Sequence, residues 1–511
     1  MDSQLESVNQ YLNNSGDVLI ASQQARIDAM VNTGLVGAGS VAQLVVDASG
    51  KTQQVLNDAK TLKNADWVNI KDFGGVGDGL VDDTAAFIAA INKTNRLELE
   101  RGKTYLVNSQ YSLNKPLYIR GNDATITGTS NGTISGTLFK LSGDASLNFE
   151  NVKVKNYTYL VDIVGIASLL SITFKDCHIS NLKRMVYTNT SGSLALNFNR
   201  TVFTLMQSVI WGFCAVKTSW FTACEISKIK NDPLLAEHQY TFKLGNDANR
   251  ATSGIMFFRN CTFSDIEGGA ASGSGYVSAI FSATMGLIVE GCTFEDIKGS
   301  DTAVEHRSRA IYAYGSRCLI RGNTFVNAGR YAQVTVKLGD ELTNQSVISD
   351  NTFQQDYPLT NSGVHFEAAF NGVVANNTFT GGYARMTIGS TGYQYGNMII
   401  KGNIFDVTTM LSITAANMRN LTFTDNLFKR SGRYNGAEDN VIRLFTGAGF
   451  IMSDIKILNN TFDTPDTQPV SGISPRAHID LANAGTVARL YIAGNSATGS
   501  TDASYKPWFL R

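Results

Sequence analysis

One short motif returns along most of this chain: an apolar run with period-2 alternation, a turn pair ending in Asn or Cys, then Thr-Phe or a close variant. It reads IMFFRNCTF (Ile255 to Phe263), LIVEGCTF (Leu287 to Phe294), CLIRGNTF (Cys318 to Phe325), SVISDNTF (Ser346 to Phe353) and GVVANNTF (Gly372 to Phe379). It continues as MIIKGNIF (Met398 to Phe405), LTFTDNLF (Leu421 to Phe428) and IKILNNTF (Ile455 to Phe462), and fades at LYIAGNSA (Leu490 to Ala497). Steps between the aligned Phe residues are 31, 31, 28, 26, 26, 23 and 34. Looser copies precede them, SITFKDCHI (Ser171 to Ile179) and LNFNRTVF (Leu196 to Phe203). A repeat of this length is the signature of stacked units, none of which can bury its apolar face alone.

The strands are short and separated by turn residues, with no room for a long crossover helix in each unit. The expected fold is therefore all-β, a right-handed parallel β-helix. In that register Asn323, Asn351, Asn377, Asn403, Asn426, Asn460 and Asn495 stack coil on coil. Their amides are expected to hydrogen-bond along the stack, and Asn tolerates the left-handed backbone such a turn needs. The Phe two residues later is expected to point inward and stack on its equivalents. Cys177, Cys224, Cys261 and Cys292 occupy the Asn position in other coils and read as buried small side chains. Six cysteines without CxxC spacing argue against a disulfide framework or a zinc site, so no metal or other cofactor is expected.

The formal net charge is zero, which removes nucleic acid as the default partner. No run of about 18 apolar residues is present, so no membrane insertion is expected. Met1 to Gln10 is polar and lacks the basic-then-apolar pattern of a signal peptide.

Residues 1–66 are rich in Gln, Asn and Ala, with apolar residues at helical spacing, such as Val41, Leu44, Ala48 and then Val55, Leu56, Ala59, Leu62. They are expected to form a short helical neck, a stem packing on copies of itself. Residues 67–500 are expected to form the solenoid, and 501–511 a closing segment, with no large C-terminal domain expected. Within VNIKDFGGVGDGLVDDTAAFIAAI (Val68 to Ile91) a strand leads to a Gly-rich turn and a helix at about 82–93. Asp82, Asp83 or Thr84 is the expected N-cap. The glycines lack GxGxxG spacing, and the aspartates would repel a pyrophosphate, so this turn reads as structural. Its helix, with Phe87, Ile88 and Ile91, is expected to cover the open end of the solenoid, which would otherwise be a sticky edge.

The segment FGGVGDGLVDDTAA (Phe73 to Ala86) resembles the N-terminal signature of the pectate-lyase-like β-helix superfamily, especially bacteriophage tailspikes and capsular polysaccharide depolymerases. With the repeats, the resemblance spans roughly residues 68–500. It implies a homotrimer on a virion tail, joined to tail or baseplate proteins through the N-terminus, that binds and cleaves a bacterial cell-surface polysaccharide, capsule or O-antigen. The NTD, GHG and RIK motifs of polygalacturonase-like relatives are absent from the sequence, so a pectin-type hydrolase site is not expected.

A glycosidase needs two carboxylates, about 5–5.5 Å apart for retention or about 6.5–9.5 Å for inversion. The long coils between Phe263 and Phe379 offer the densest constellation: Asp301 and the run Glu305, His306, Arg307, Ser308, Arg309, leading into Ala310 to Tyr314. The next coil carries Gln333 to Leu338, then Asp340 and Glu341, and the one after it Gly363 to Ala368. With Val334, Val336, Val364 and Phe366 inward, Thr335, Lys337, His365 and Glu367 face out, and Glu367 lies beside Lys337. With Ile311 inward, Tyr312 and Tyr314 face out. Arg385, Arg443, His478 and Asp480 continue the same face. The catalytic pool is Glu305, Glu367, Asp340 and Glu341; the substrate-binding set is Arg307, Arg309, Tyr331, Lys337, His365, Tyr312 and Tyr314.

The leading expectation is an endo-glycosidase. A lyase is the alternative: a cation such as Arg309 or Lys337 would neutralise a uronate, and Lys337, His365 or a Tyr would act as base. A non-catalytic receptor-binding spike is the third.

Overall fold

The structure is a computed structural model. It describes residues 67–498 apart from 130–134, 144, 166–168, 189–191, 213, 231–238, 269–276, 300–307, 315–316, 330, 338–344, 357–361, 369–370, 382–385, 389–394, 408–410, 415–417, 430–441, 446–450, 464–478 and 483–485. The chain divides into two units, Met1–Asn69 and Ile70–Arg511. Of the first, only Trp67 to Asn69 is described, with a two-residue strand at Val68–Asn69. The expected neck at 1–66 and closing segment at 501–511 lie outside the described residues.

The second unit is a solenoid of parallel strands with three strands per coil. The apolar runs form a first column, exemplified by Gly286–Glu290, Arg317–Arg321 and Ser346–Ser349. The Thr-Phe segments form a second, beginning Thr293–Lys298, Thr324–Ala328 and Thr352–Gln354. A third contains Val277–Ser282, Ser308–Tyr314, Ala332–Lys337 and Ser362–Ala368. Each strand pairs with its equivalent one coil on, in parallel. Alternation puts every second side chain inside.

The inward Phe residues of the second column stack face to face from Phe263–Phe294, with centroids 4.6 Å apart, to Phe428–Phe462 at 5.0 Å, and their planes diverge by 13° at most. The file continues toward the N-terminus as tilted and edge-on contacts through Phe242, Phe221, Phe198, Phe174 and Phe149 to Phe139. Phe139 meets Phe87 of the capping helix at 6.2 Å. One aromatic spine thus runs from the cap through the interior. Each fully buried ring contributes about 1.5–3 kcal/mol of transfer free energy.

The Asn positions form the expected ladder. Asn323, Asn351, Asn377, Asn403 and Asn426 each donate the side-chain amide to Oδ1 of the next Asn at 2.9–3.0 Å. Each also donates to a carbonyl of the preceding coil, as Asn351 Nδ2 does to Ile320 O at 2.9 Å. The cysteines extend the same column: the Cys292 backbone N–H donates to Asn323 Oδ1 at 2.8 Å, and Cys261 Sγ donates to Phe221 O, a preceding-coil carbonyl, at 3.3 Å. All six cysteines are buried and free.

One detail differs from expectation. The left-handed residue is not the ladder Asn but the one before it: Gly322 (φ 65°), Asp350 (58°), Asn376 (56°), Gly402 (63°), Asp425 (58°) and Asn459 (53°). The backbone turns its corner there, so the following Asn returns to an ordinary conformation with its amide aimed inward. Gly, Asn and Asp tolerate that region best, which explains why the pair reads GN, DN or NN.

The capping helix is Thr84–Lys93 with Asp83 at the N-cap, burying Phe87, Ala90 and Ile91. Asp83 makes no side-chain bond to the helix. Its carboxylate instead accepts from Val76 N at 2.6 Å and Gly77 N at 3.3 Å, fastening the Gly-rich turn. Asp82 caps in its place, accepting from Thr84 N at 2.9 Å. Gly77 has φ +66°, and a Cβ there would come within 2.9 Å of the Tyr105 ring. The turn is thus packed for structure.

Candidate functional site

Outward residues of the third column fall into one register row along the axis. It passes through Lys140, Asp162, Tyr187, Trp211, Lys243, Phe281, Tyr312, Thr335, His365 and Thr387. In backbone register it is followed by positions Ser412, Arg443 and Asp480. The cause is the period of two: Phe242, Ile280, Ile311, Val334 and Val364 are fully buried, and the residue after each is turned to the other face.

The row is densest around Arg309. Its guanidinium carbon lies 4.6 Å from the Tyr312 ring centre and 4.3 Å from that of Tyr331. Its Nε donates to Thr335 Oγ1 at 3.0 Å. Tyr331 in turn lies 5.5 Å from His365, ring centre to ring centre. Arg309 is 5% exposed, Thr335 0% and His365 4%, so this part of the outer face is recessed. Beside it, Lys337 Nζ approaches the Tyr314 ring at 5.9 Å, and Phe281 touches both Tyr312 and Tyr314. An Arg between two tyrosines is held in one plane by its rings, an arrangement suited to presenting N–H donors to an anion.

The fold therefore brings together Arg309, Tyr312, Tyr331 and His365, with Tyr314 and Lys337 alongside. Tyr312 and Tyr314 are half-buried on the outer face, opposite in sense to Ile311. Glu305, Arg307, Asp340 and Glu341 lie outside the described residues, as do Asp301, His306, Arg385 and His478. Glu367 is in the strand Ser362–Ala368, but not where simple alternation puts it. The pairing runs Val336 to Phe366 and then Lys337 to Ala368. The extra residue falls at Glu367, a local irregularity that re-aims the strand. Arg443 and Asp480 are register partners.

Sequence reasoning missed the N-terminal half of the row. Arg184 lies 4.5 Å from the Trp211 ring centre and 5.3 Å from that of Tyr187. Lys243 Nζ lies 4.9 Å from Trp211 and 5.7 Å from Tyr240. Tyr159 stacks on Tyr187 at 5.1 Å, and Tyr240 packs on Phe281 at 4.7 Å. Burial pushes the Asp162 carboxyl above its ordinary range, and Lys140 opposes the shift. Among the described residues no group of His, Cys, Asp or Glu is arranged to hold a metal ion, and no helix is long and apolar enough to cross a membrane.

Residues 278–462 match the family model described as right handed beta helix region. The solenoid is a right-handed parallel β-helix. A search of curated proteins found no match. Among solved structures, this β-helix is similar to tailspike protein 3 of bacteriophage CBA120, with 14% identity over 93% of this chain and 68% of that one, TM-score 0.39. It is also similar to a tailspike protein mutant of E. coli bacteriophage HK620 in complex with a pentasaccharide, with 13% identity over 92% and 84%, TM-score 0.38. A third is the catalytic unit of an α-1,3-glucanase from Streptomyces thermodiastaticus, with 13% identity over 86% and 71%, TM-score 0.36.

Proposed function

We infer that this β-helix is a phage tailspike that binds a bacterial surface polysaccharide along its third column and cleaves it. The observation that carries the reading is the axial row itself. The rings of Tyr187, Phe281 and Tyr312 stand in one row with Lys243, and Arg309 stands beside it, at about the 4.8 Å spacing of strands, which suits a linear polymer. Rings take the apolar faces of sugars, and guanidinium and ammonium groups take their hydroxyls and acidic substituents.

The leading chemistry is endo-glycoside hydrolysis. One carboxylic acid from Glu305, Asp340, Glu341 and Glu367 would protonate the leaving oxygen, and another would attack or activate water. Arg309 and Lys337 would fix the substrate, with Arg307 as a further contact. A lyase is the second reading, favoured by the meeting of Arg309, Tyr331 and His365: the cation would neutralise a uronate carboxylate, the imidazole or a Tyr331 phenolate would take the α-proton, and the glycosidic C–O bond at the β carbon would break as its leaving oxygen is protonated, leaving an unsaturated sugar. Incubation with purified capsular and O-antigen polysaccharides, following reducing ends and unsaturated-sugar absorbance together, tests both. Reducing ends alone support the hydrolase; both signals together support the lyase; binding without either leaves a receptor-binding spike.

The homotrimer of this reading has a matching surface on the first column. Its outward row runs Trp220, Phe257, Ile288, Leu319, Val347, Val373 and Ile399, apolar in seven successive coils. Trp220 and Phe257 stack at 3.8 Å. The adjoining charges Arg259, Glu290 and Arg321 are already paired within the chain, at 3.0 and 2.8 Å, and would not repel a copy. Residues 1–66 would join the tail or baseplate.

A further inference from the structure

We propose that Tyr159, Asp162 and Tyr187, on the N-terminal coils of the third column, form a subsite for an uncharged sugar of the polymer, with Asp162 accepting its hydroxyls; this rests on the polysaccharide reading above. The site lies upstream of the residues that match the β-helix family model.

Three observations carry it. First, the fold places these side chains on one outward patch. Leu160 and Val161 are fully buried, so Tyr159 and Asp162 on either side of them both face out. Tyr187 stands in register with Asp162 one coil on, and its ring leans back to stack on Tyr159, with centres 5.1 Å apart and planes 15° apart. All three side chains are half-buried. The Arg184 guanidinium lies 5.3 Å from the Tyr187 ring centre, so the ring face left for a sugar is the one that Tyr159 turns away from Tyr187. Second, the polar heads are unused by the fold. Among the described residues none hydrogen-bonds to the Asp162 carboxylate or to either tyrosine hydroxyl, and Lys140, in register with Asp162 one coil back, forms no ion pair with it. Burial pushes this carboxyl upward, and no hydrogen bond offsets the shift. Vicinal sugar hydroxyls would supply the missing bonds, short and charge-assisted, while the Tyr159 ring takes the apolar face of the same sugar. A carboxylate in this place repels a uronate, which selects an uncharged residue. Third, the register is continuous. Tyr187 and Tyr312 are four coil steps apart in one row, about 19 Å at the strand spacing. An extended chain lying on the row would meet both this subsite and the Arg309 cluster.

The test is affinity electrophoresis of the full chain through gels containing purified bacterial capsular polysaccharides of three kinds: all sugars neutral, neutral and uronate sugars mixed, and all sugars acidic. The variants are Asp162→Ala and Tyr159→Leu, with Glu295→Ala, an exposed carboxylate of the second column, as the charge-matched control. Circular dichroism checks that each variant folds; Asp162→Asn and Tyr159→Met, with a loss of at least about threefold expected, stand in for one that does not. The expected result is retention of wild type by polysaccharides that contain neutral sugars, a loss of about tenfold in affinity for Asp162→Ala and for Tyr159→Leu, and no change for the control. Undiminished retention of either variant, a loss matched by the control, or retention of wild type only by the all-acidic kind overturns the subsite and leaves the general reading standing. Retention of wild type by none removes both.

Discussion

The guanidinium of Arg309 is sandwiched by Tyr312 and Tyr331, one ring from its own strand and one from the start of the next coil. Arg309→Lys keeps the charge and loses both the planar contact and the Nε bond to Thr335. We expect glycan affinity to fall by about 0.5–2 kcal/mol, measured by calorimetric titration. An unchanged affinity would remove Arg309 from the binding surface.

The Asn ladder makes a graded prediction. The Asn351 side chain makes four hydrogen bonds with Asn323, Ile320 and Asn377, all buried. Asn351→Ala leaves these groups without partners and should cost at least about 3 kcal/mol, read as a lower denaturation midpoint. Asn351→Cys, with Cys292 as natural precedent two coils earlier in the same column, should cost less. Asn495→Ala, at the half-buried end of the ladder, should cost least. Equal losses at 351 and 495 would mean that the ladder is not what holds the coils.

Asp162 should make stability depend on pH in the unusual direction. Its folded carboxyl is raised by burial. The linked contribution is therefore full below the ordinary carboxylate range and lost as pH rises through the folded value. Charged Asp162 costs stability at neutral pH, and Asp162→Asn should raise the melting temperature at pH 7. The gain should vanish at about pH 4. A gain that persists in acid would assign it to packing.

The six thiols should be silent because all six are buried out of reach of a reagent. Burial pushes Cys177 up to about 12 and Cys214 and Cys318 to about 11, so none of these supplies thiolate near neutrality. Ellman's reagent at pH 8 should find no reactive thiol in the folded chain and six in denaturant. Prompt reaction before unfolding would place a cysteine at the surface.

What the sequence disclosed followed periodicity. The Phe file and the Asn column recur with every coil, and each side chain meets its own equivalent, so one-dimensional spacing translates directly into contact. The third column has no such signature. In the long strands His178–Thr188 and Val202–Gly212 the second and third columns run together without a turn residue between them, which hid Arg184, Tyr187 and Trp211. The extra residue at Glu367 was equally invisible, because an irregularity changes register without changing composition. The left-handed position was displaced by one residue because the ladder Asn had two duties assigned to it, and the preceding Gly, Asp or Asn performs one of them.

The ladder also has a direction. Every Asn from 323 to 460 sends its side-chain N–H toward the coil that follows, and none of these inter-Asn bonds points the other way. A chain emerging from the ribosome N-terminus first would therefore complete one coil with a donor still waiting, and the next coil would bring the acceptor. Each coil thus presents donors to its successor, and contacts run only between neighbouring coils, so the stack can extend one coil at a time from wherever it begins.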